Sequence, residues 1–176
     1  MPHSVYLDLC LAALVSLAAA SDLATRRIPN YLLLVGMGTA ALLHLFSAFP
    51  VAALLWGLAG AATGLLVFLP LYCLRGMAAG DVKFMMAVGA FSAPRETLTI
   101  AVVAVCVGGV LALGVAVARG RWRAMCANLA VLLRPLLLRL AKLPAVAEPL
   151  PGPSAGSIPY GVAIAAGTLL VMAARY

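Results

Sequence analysis

Acidic side chains are almost missing from this chain: there are five Asp and Glu among 176 residues, against twelve Lys and Arg, for a formal net charge of +7. Charged residues of both signs make up only 10%, and hydrophobic ones 65%. Globular domains run at about 25% charged and 45–50% apolar, so too little polar surface remains here to cover a water-soluble fold. A soluble domain is excluded. A nucleic-acid-binding protein is excluded with it, because the basic balance has no polar domain or RNA-binding motif to carry it. Zinc and dithiol chemistry lack their usual pattern: Cys10, Cys73, Cys106 and Cys126 are widely separated and form no C-x-x-C pair. They read as packed thiols. No metal and no cofactor is expected.

Long apolar runs are what the chain does have. They fall at Ser4–Ala20, Tyr31–Phe49, Val51–Cys73, Val82–Ala93, Leu98–Ala118 and Ile158–Ala174, divided by polar, Pro- or Gly-bearing punctuation. A helix needs about 20 apolar residues to span a bilayer, and lipid forbids irregular exposed backbone. The expectation is an all-α polytopic membrane protein, one domain over residues 1–176 with about six transmembrane helices. The fourth run is short, since Asp81 to Ala93 reaches only ~20 Å at ~1.5 Å per residue. It must either continue past Pro94 or start below the membrane surface. Ala18-Ala19-Ala20 resembles a signal cleavage site, but no Lys or Arg precedes the first run and Asp8 lies inside it, so it reads as a true span. Gly57, Gly60 and Gly64 offer a small-residue face for close helix packing.

Lys and Arg gather on cytoplasmic loops, which sets the orientation. With the first helix running inward, Arg26, Arg27, Arg75, Lys83, Arg119, Arg121, Arg123, Arg134, Arg139 and Lys142 fall inside, and only Arg95 and Arg175 outside. Both termini then lie on the outer face, the periplasmic one if the membrane is a bacterial inner membrane. The basic segment of about 119–157 is cytoplasmic. Its part from 119 to 142 fits a helix on the inner leaflet or a solvated loop, and 143–157, rich in proline, a turn-rich connector.

In this topology Glu148 falls in the inner connector and Glu96 in an outer loop, both solvated, and Asp8 near the outer end of the first helix, where an interfacial carboxylate costs little. Asp22 and Asp81 differ: both lie at inner helix ends, at one membrane depth. Asp81, preceded by Gly80 and followed by an apolar run, also suits a helix N-cap. Asp22 sits at a helix C-terminus, where a negative charge opposes the dipole, so capping explains it poorly. Ionisable groups at membrane depth are costly and often functional. Two carboxylates meeting in a partly dry site share one proton, which is the chemistry of an aspartic protease: one takes a proton from water while the other polarises the scissile carbonyl.

Asp22 followed by Arg27-Ile28-Pro29-Asn30, then Gly80-Asp81-Val82-Lys83, then Pro159-Tyr160-Gly161-Val162-Ala163-Ile164 opening the last helix, resemble the type IV prepilin peptidases, most nearly the short form serving Flp/Tad pilus systems. The resemblance implies a GxGD-type aspartic endopeptidase of the bacterial inner membrane. It would cut the positively charged leader from prepilins or pseudopilins at the cytoplasmic face, after a glycine that precedes an apolar helix. It assigns catalysis to Asp22 and Asp81, and pilus assembly or secretion machinery as partners beside the lipid bilayer. The family's Gly-x-Gly-Asp reads Ala78-Ala79-Gly80-Asp81 here, a weakness if the first position needs a positive φ or close helix approach. The cysteine-bearing domain of the long methylating members has no counterpart, so methyl transfer is not expected.

Arg27, Pro29, Asn30, Gly80, Lys83, Pro159, Tyr160 and Gly161 are secondary candidates for binding substrate or shaping the site. Arg26, Arg27 and Lys83 equally serve topology, Pro29 and Asn30 a helix-entry turn, and Pro159-Tyr160-Gly161 packing. Two other functions use the same features: a proton- or ion-coupled transporter with Asp22 and Asp81 as ligands, and a non-catalytic pilus or secretion assembly subunit.

Overall fold

The computed structural model describes residues 5–74, 76–120 and 160–175. Pro159, Arg75 and most of the basic segment and connector lie outside them. Six helices follow in order: α1 (Val5–Thr25), α2 (Asn30–Leu45), α3 (Pro50–Cys73), α4 (Ala79–Ala90), α5 (Pro94–Ala118) and α6 (Tyr160–Ala173), with no strand among the described residues. Three of them, α1, α3 and α5, are long and apolar enough to cross a membrane, while α2 and α6 are shorter apolar helices. Their outward side chains fit lipid: Leu23, Leu34, Leu55 and Leu66 are each more than half exposed, an apolar exterior that water would not tolerate. The chain divides into two compact units, residues 1–108 with 159–176, and residues 109–158. Everything below concerns the first.

Helix ends follow local chemistry. Pro50 and Pro94 open α3 and α5, where proline's fixed φ suits the first turn and its missing N–H costs nothing. α1 stops where Arg26 turns left-handed, at φ 55°. The Ser21 and Thr25 hydroxyls donate to the Arg27 carbonyl at 3.0 and 3.1 Å and hold that turn. Pro29, extended at φ −65° and ψ 128°, then leads into α2.

The short fourth run ends early. α4 stops at Ala90, the Phe91 and Ser92 amides fold back on the Val88 and Gly89 carbonyls, and Pro94 begins a new helix. It does not continue past Pro94, which opens a new helix, the position where proline's fixed φ and missing N–H are best tolerated. The corner is buried, with Phe91, Ser92 and Thr97 closed off from the surface. Gly57, Gly60 and Gly64 of α3 make that burial possible: a Cβ at Gly60 would collide with the Gly89 and Ser92 carbonyls, and one at Gly64 with that of Met85. The small-residue face is a backbone-to-backbone seam between α3 and α4. Around it lie Leu11, Val15, Phe68, Phe84, Met85, Val88, Ile100 and Ile164, all buried.

Two acids lie deeper than expected. Asp8 is buried, and Glu96 lies in the first turn of α5 rather than in a loop. Both are paired with Arg175, just beyond the end of α6. The sequence could not show that these three helix ends converge.

Candidate active site

α1 ends, and α4 and α6 begin, at the same end of the bundle. Each brings one element of the site there. Asp22, in the last turn of α1, and Asp81, in the first turn of α4, are 7% and 8% exposed, which takes both carboxylates out of bulk water. They lie close enough to interact electrostatically, and Asp81 likewise interacts with Tyr160 at the start of α6. Buried like charges repel strongly at low dielectric, so such a pair persists only where neighbouring groups compensate it.

Compensation comes from backbone. The Gly161 N–H donates to Asp22 Oδ2 at 2.9 Å. It belongs to the first turn of α6, whose free amides and positive dipole end attract a carboxylate. The unfavourable dipole of α1 at Asp22 is thus offset by the favourable end of another helix. Glycine is required for the approach, since a Cβ at Gly161 would sit 2.8 Å from Asp22 Oδ2 and 3.1 Å from its Cβ and Cγ. The Ala78 N–H donates more loosely to Asp81 Oδ2, at 3.3 Å. Ala78 is itself the N-cap, so Asp81 is the third helical residue rather than the cap, and its carboxylate reaches back as the acidic half of a capping box does. Alanine has no side-chain acceptor to complete the box.

The other candidates sort by position. Tyr160, half-buried, packs edge-on to Phe68 with ring centroids 6.1 Å apart, and Gly108 of α5 leaves room for its ring, where a Cβ would lie 2.7 Å from Cε2. Sequence reasoning missed Phe68 and Gly108; neither stands in a motif, and only the packing of α6 reveals them. Lys83 Nζ donates to Asn30 Oδ1 at 3.3 Å, joining α4 to the start of α2. Arg27 is exposed beyond α1, its carbonyl held by the turn. Pro29 is the N-cap of α2 and Asn30 its first residue. Gly80 has open space where a Cβ would go, with nothing within 4 Å. Ala78 is extended, at φ −79° and ψ 151°, so alanine there meets no backbone strain. Among the described residues no group of three or more His, Cys, Asp or Glu could hold a metal ion.

A sequence model of the type IV leader peptidase family matches residues 9–113. No curated protein and no solved structure matches the chain. The match covers more than half of the chain and includes Asp22 and Asp81, while Tyr160 and Gly161 fall outside it. The chain belongs to the type IV leader peptidase family.

Proposed function

We propose that this leader peptidase family chain is an intramembrane aspartic endopeptidase that removes the leader of Flp-type prepilins or pseudopilins at the cytoplasmic face of the bacterial inner membrane. One observation carries the reading: two buried carboxylates from separate helices lie within electrostatic reach of each other, at helix ends where a peptide bond entering from the aqueous face would meet them.

The chemistry needs one proton shared by the pair. The ionised carboxylate takes a proton from water as the water oxygen attacks the scissile carbonyl, and the protonated one passes its proton to the carbonyl oxygen. The resulting gem-diol collapses, returning that proton to the second carboxylate, while the first protonates the departing amine. Both carboxylates end as they began. Gly161 engages Asp22 Oδ2, which leaves Oδ1 as the oxygen available for proton transfer. Tyr160 lies within electrostatic reach of Asp81. Lys83, bonded to Asn30, braces α4 against α2, and a cation there is poorly suited to hold a positively charged leader. The basic segment of about 119–157 is assigned to the cytoplasmic side, and both termini to the periplasm.

Co-expression of a Flp-type prepilin with the wild type, Asp22→Asn and Asp81→Asn tests the reading by gel shift of the leader. Asn keeps size and hydrogen bonding but cannot shuttle the proton. Processing by the wild type and by neither variant is expected; processing by either variant rules out the dyad.

A further inference from the structure

The mechanism leaves one buried charged cluster unused. At the end of the bundle remote from Asp22 and Asp81, Arg175 Nη1 donates to Asp8 Oδ1 at 3.1 Å, and Arg175 also pairs with Glu96. The three side chains are 19%, 9% and 15% exposed, so this is not a solvated surface pair of the kind that contributes little. In a chain with five acids, two go to the dyad and two to this one arginine. Breaking such a partly buried pair from one side leaves a charge without its partner, which is far costlier than losing an exposed one.

Its placement gives it a mechanical meaning. α1 and α6 pack antiparallel, held at one end by Gly161 on Asp22 and at the other by Arg175 on Asp8. The same fourteen-residue interval separates Asp8 from Asp22 on α1 and Gly161 from Arg175 on α6. At ~1.5 Å per residue the interval on α1 measures about 21 Å, and that from Gly161 is helical as far as Ala173, two residues short of Arg175. The polar contacts are therefore in register, whereas between them the buried side chains Ala163, Ile164 and Ala165 of α6 are apolar and the Thr168 hydroxyl donates to Ile164 of its own helix. Glu96 adds α5, which seats Tyr160 through Gly108.

We infer that Arg175, held by Asp8 and Glu96, is a positioning residue that sets the axial register of α6 and so places the Gly161 N–H on Asp22 across the length of the bundle. The catalytic consequence rests on the peptidase reading; the structural one does not. The remote pair acts by fixing where α6 begins. A slip of one helical turn would move Gly161 by about 5.4 Å, and a displacement of only about 1 Å at a reacting centre can cost on the order of 100-fold in rate.

The experiment uses the full chain in detergent micelles with 15N-labelled glycine, following Gly161 amide exchange beside prepilin cleavage. Arg175→Gln is expected to speed Gly161 exchange about 10-fold and to lower kcat about 10- to 100-fold at unchanged KM. Arg175→Lys, which keeps a cation between Asp8 and Glu96, is expected to recover both. Should Arg175→Gln fail to fold, Asp8→Asn, which keeps the side-chain volume, reads the same exchange with a smaller effect. Unchanged Gly161 exchange in the folded variants overturns the inference, as does a loss of protection spread evenly over all helices that lysine fails to rescue. A wild type that cleaves no prepilin while Gly161 responds as stated supports the register role and removes the peptidase reading alone.

Discussion

Gly161→Ala isolates the contact on which the site depends, because it adds one methyl group and removes no hydrogen-bond donor. The added Cβ would lie 2.8 Å from Asp22 Oδ2, where ordinary contact begins at 3.4 Å. Relief therefore requires a separation of about 0.6 Å, which would stretch the 2.9 Å N–H bond to Asp22 to roughly 3.5 Å, the limit at which a hydrogen bond ceases to count. A hydrogen bond to a charged group contributes about 1.5–3 kcal/mol, equivalent to about 10- to 100-fold in rate if the whole loss falls on the transition state. Single-turnover cleavage of a prepilin in micelles should show kcat reduced by that factor and KM little changed, since substrate contacts are untouched. Thermal unfolding should move less than kcat, because Arg175 still holds the other end of α6 on Asp8 and Glu96. A Gly161→Ala enzyme with kcat within about twofold of wild type would refute the claim that this amide holds Asp22 in its working position.

Gly80→Ala makes the opposite test: its Cβ meets nothing within 4 Å, so thermal stability should be unchanged, and any fall in cleavage rate would report contact with bound substrate rather than damage to the fold. Gly60→Ala drives a Cβ into the Gly89 and Ser92 carbonyls; overpacking of this kind costs about 1–3 kcal/mol or more, and both the unfolding temperature and cleavage should drop as α4 is pushed off α3. His44→Ala removes the donor to the Ala90 carbonyl, 2.9 Å away, and should lower stability by about 1–3 kcal/mol for a buried acceptor left alone. His44→Gln, which can still donate, should recover part of that in the same melt.

What could be read beforehand depended on whether a residue's meaning was local. Apolar runs mark helices wherever they occur, and the small residues at Gly57, Gly60 and Gly64 announce a close seam without naming its partner. That Asp22 and Asp81 share one end of the bundle also followed, since both stand at helix termini whose direction the alternation of spans sets. Gly89, the other side of the seam, was not legible because a lone glycine in a short apolar helix has many uses. Nor were Asp8 and Glu96 as partners of Arg175, which looked like an interfacial acid, a loop acid and a terminal base. Each is ordinary in its own segment, and only the convergence of α1, α5 and α6 gives them common work. Asp81 as third residue rather than cap turned on three residues of helix boundary, from Asp81 back to Ala78, where sequence signals are weakest.

The length of α4 connects these features. Twelve residues reach about 18 Å, well short of the roughly 30 Å of a bilayer core. On the peptidase reading Asp81 would stand at the aqueous face, and a helix of this length beginning there would end within the apolar layer with its last carbonyls exposed. Lipid offers those carbonyls no partner. The chain supplies them internally. Phe91 and Ser92 turn their amides back on Val88 and Gly89, and His44 gives Ala90 a donor; that carbonyl can only accept, so Nε2 carries the proton. Gly57 leaves room for this histidine, since a Cβ there would lie 2.8 Å from Nε2, and Gly60 lets α3 close over the turn. The glycine seam, the buried histidine and the short helix are thus one arrangement. It allows α4 to lie inside the bundle, and a change at the seam should disturb Asp81, one helical turn before Met85 of the seam.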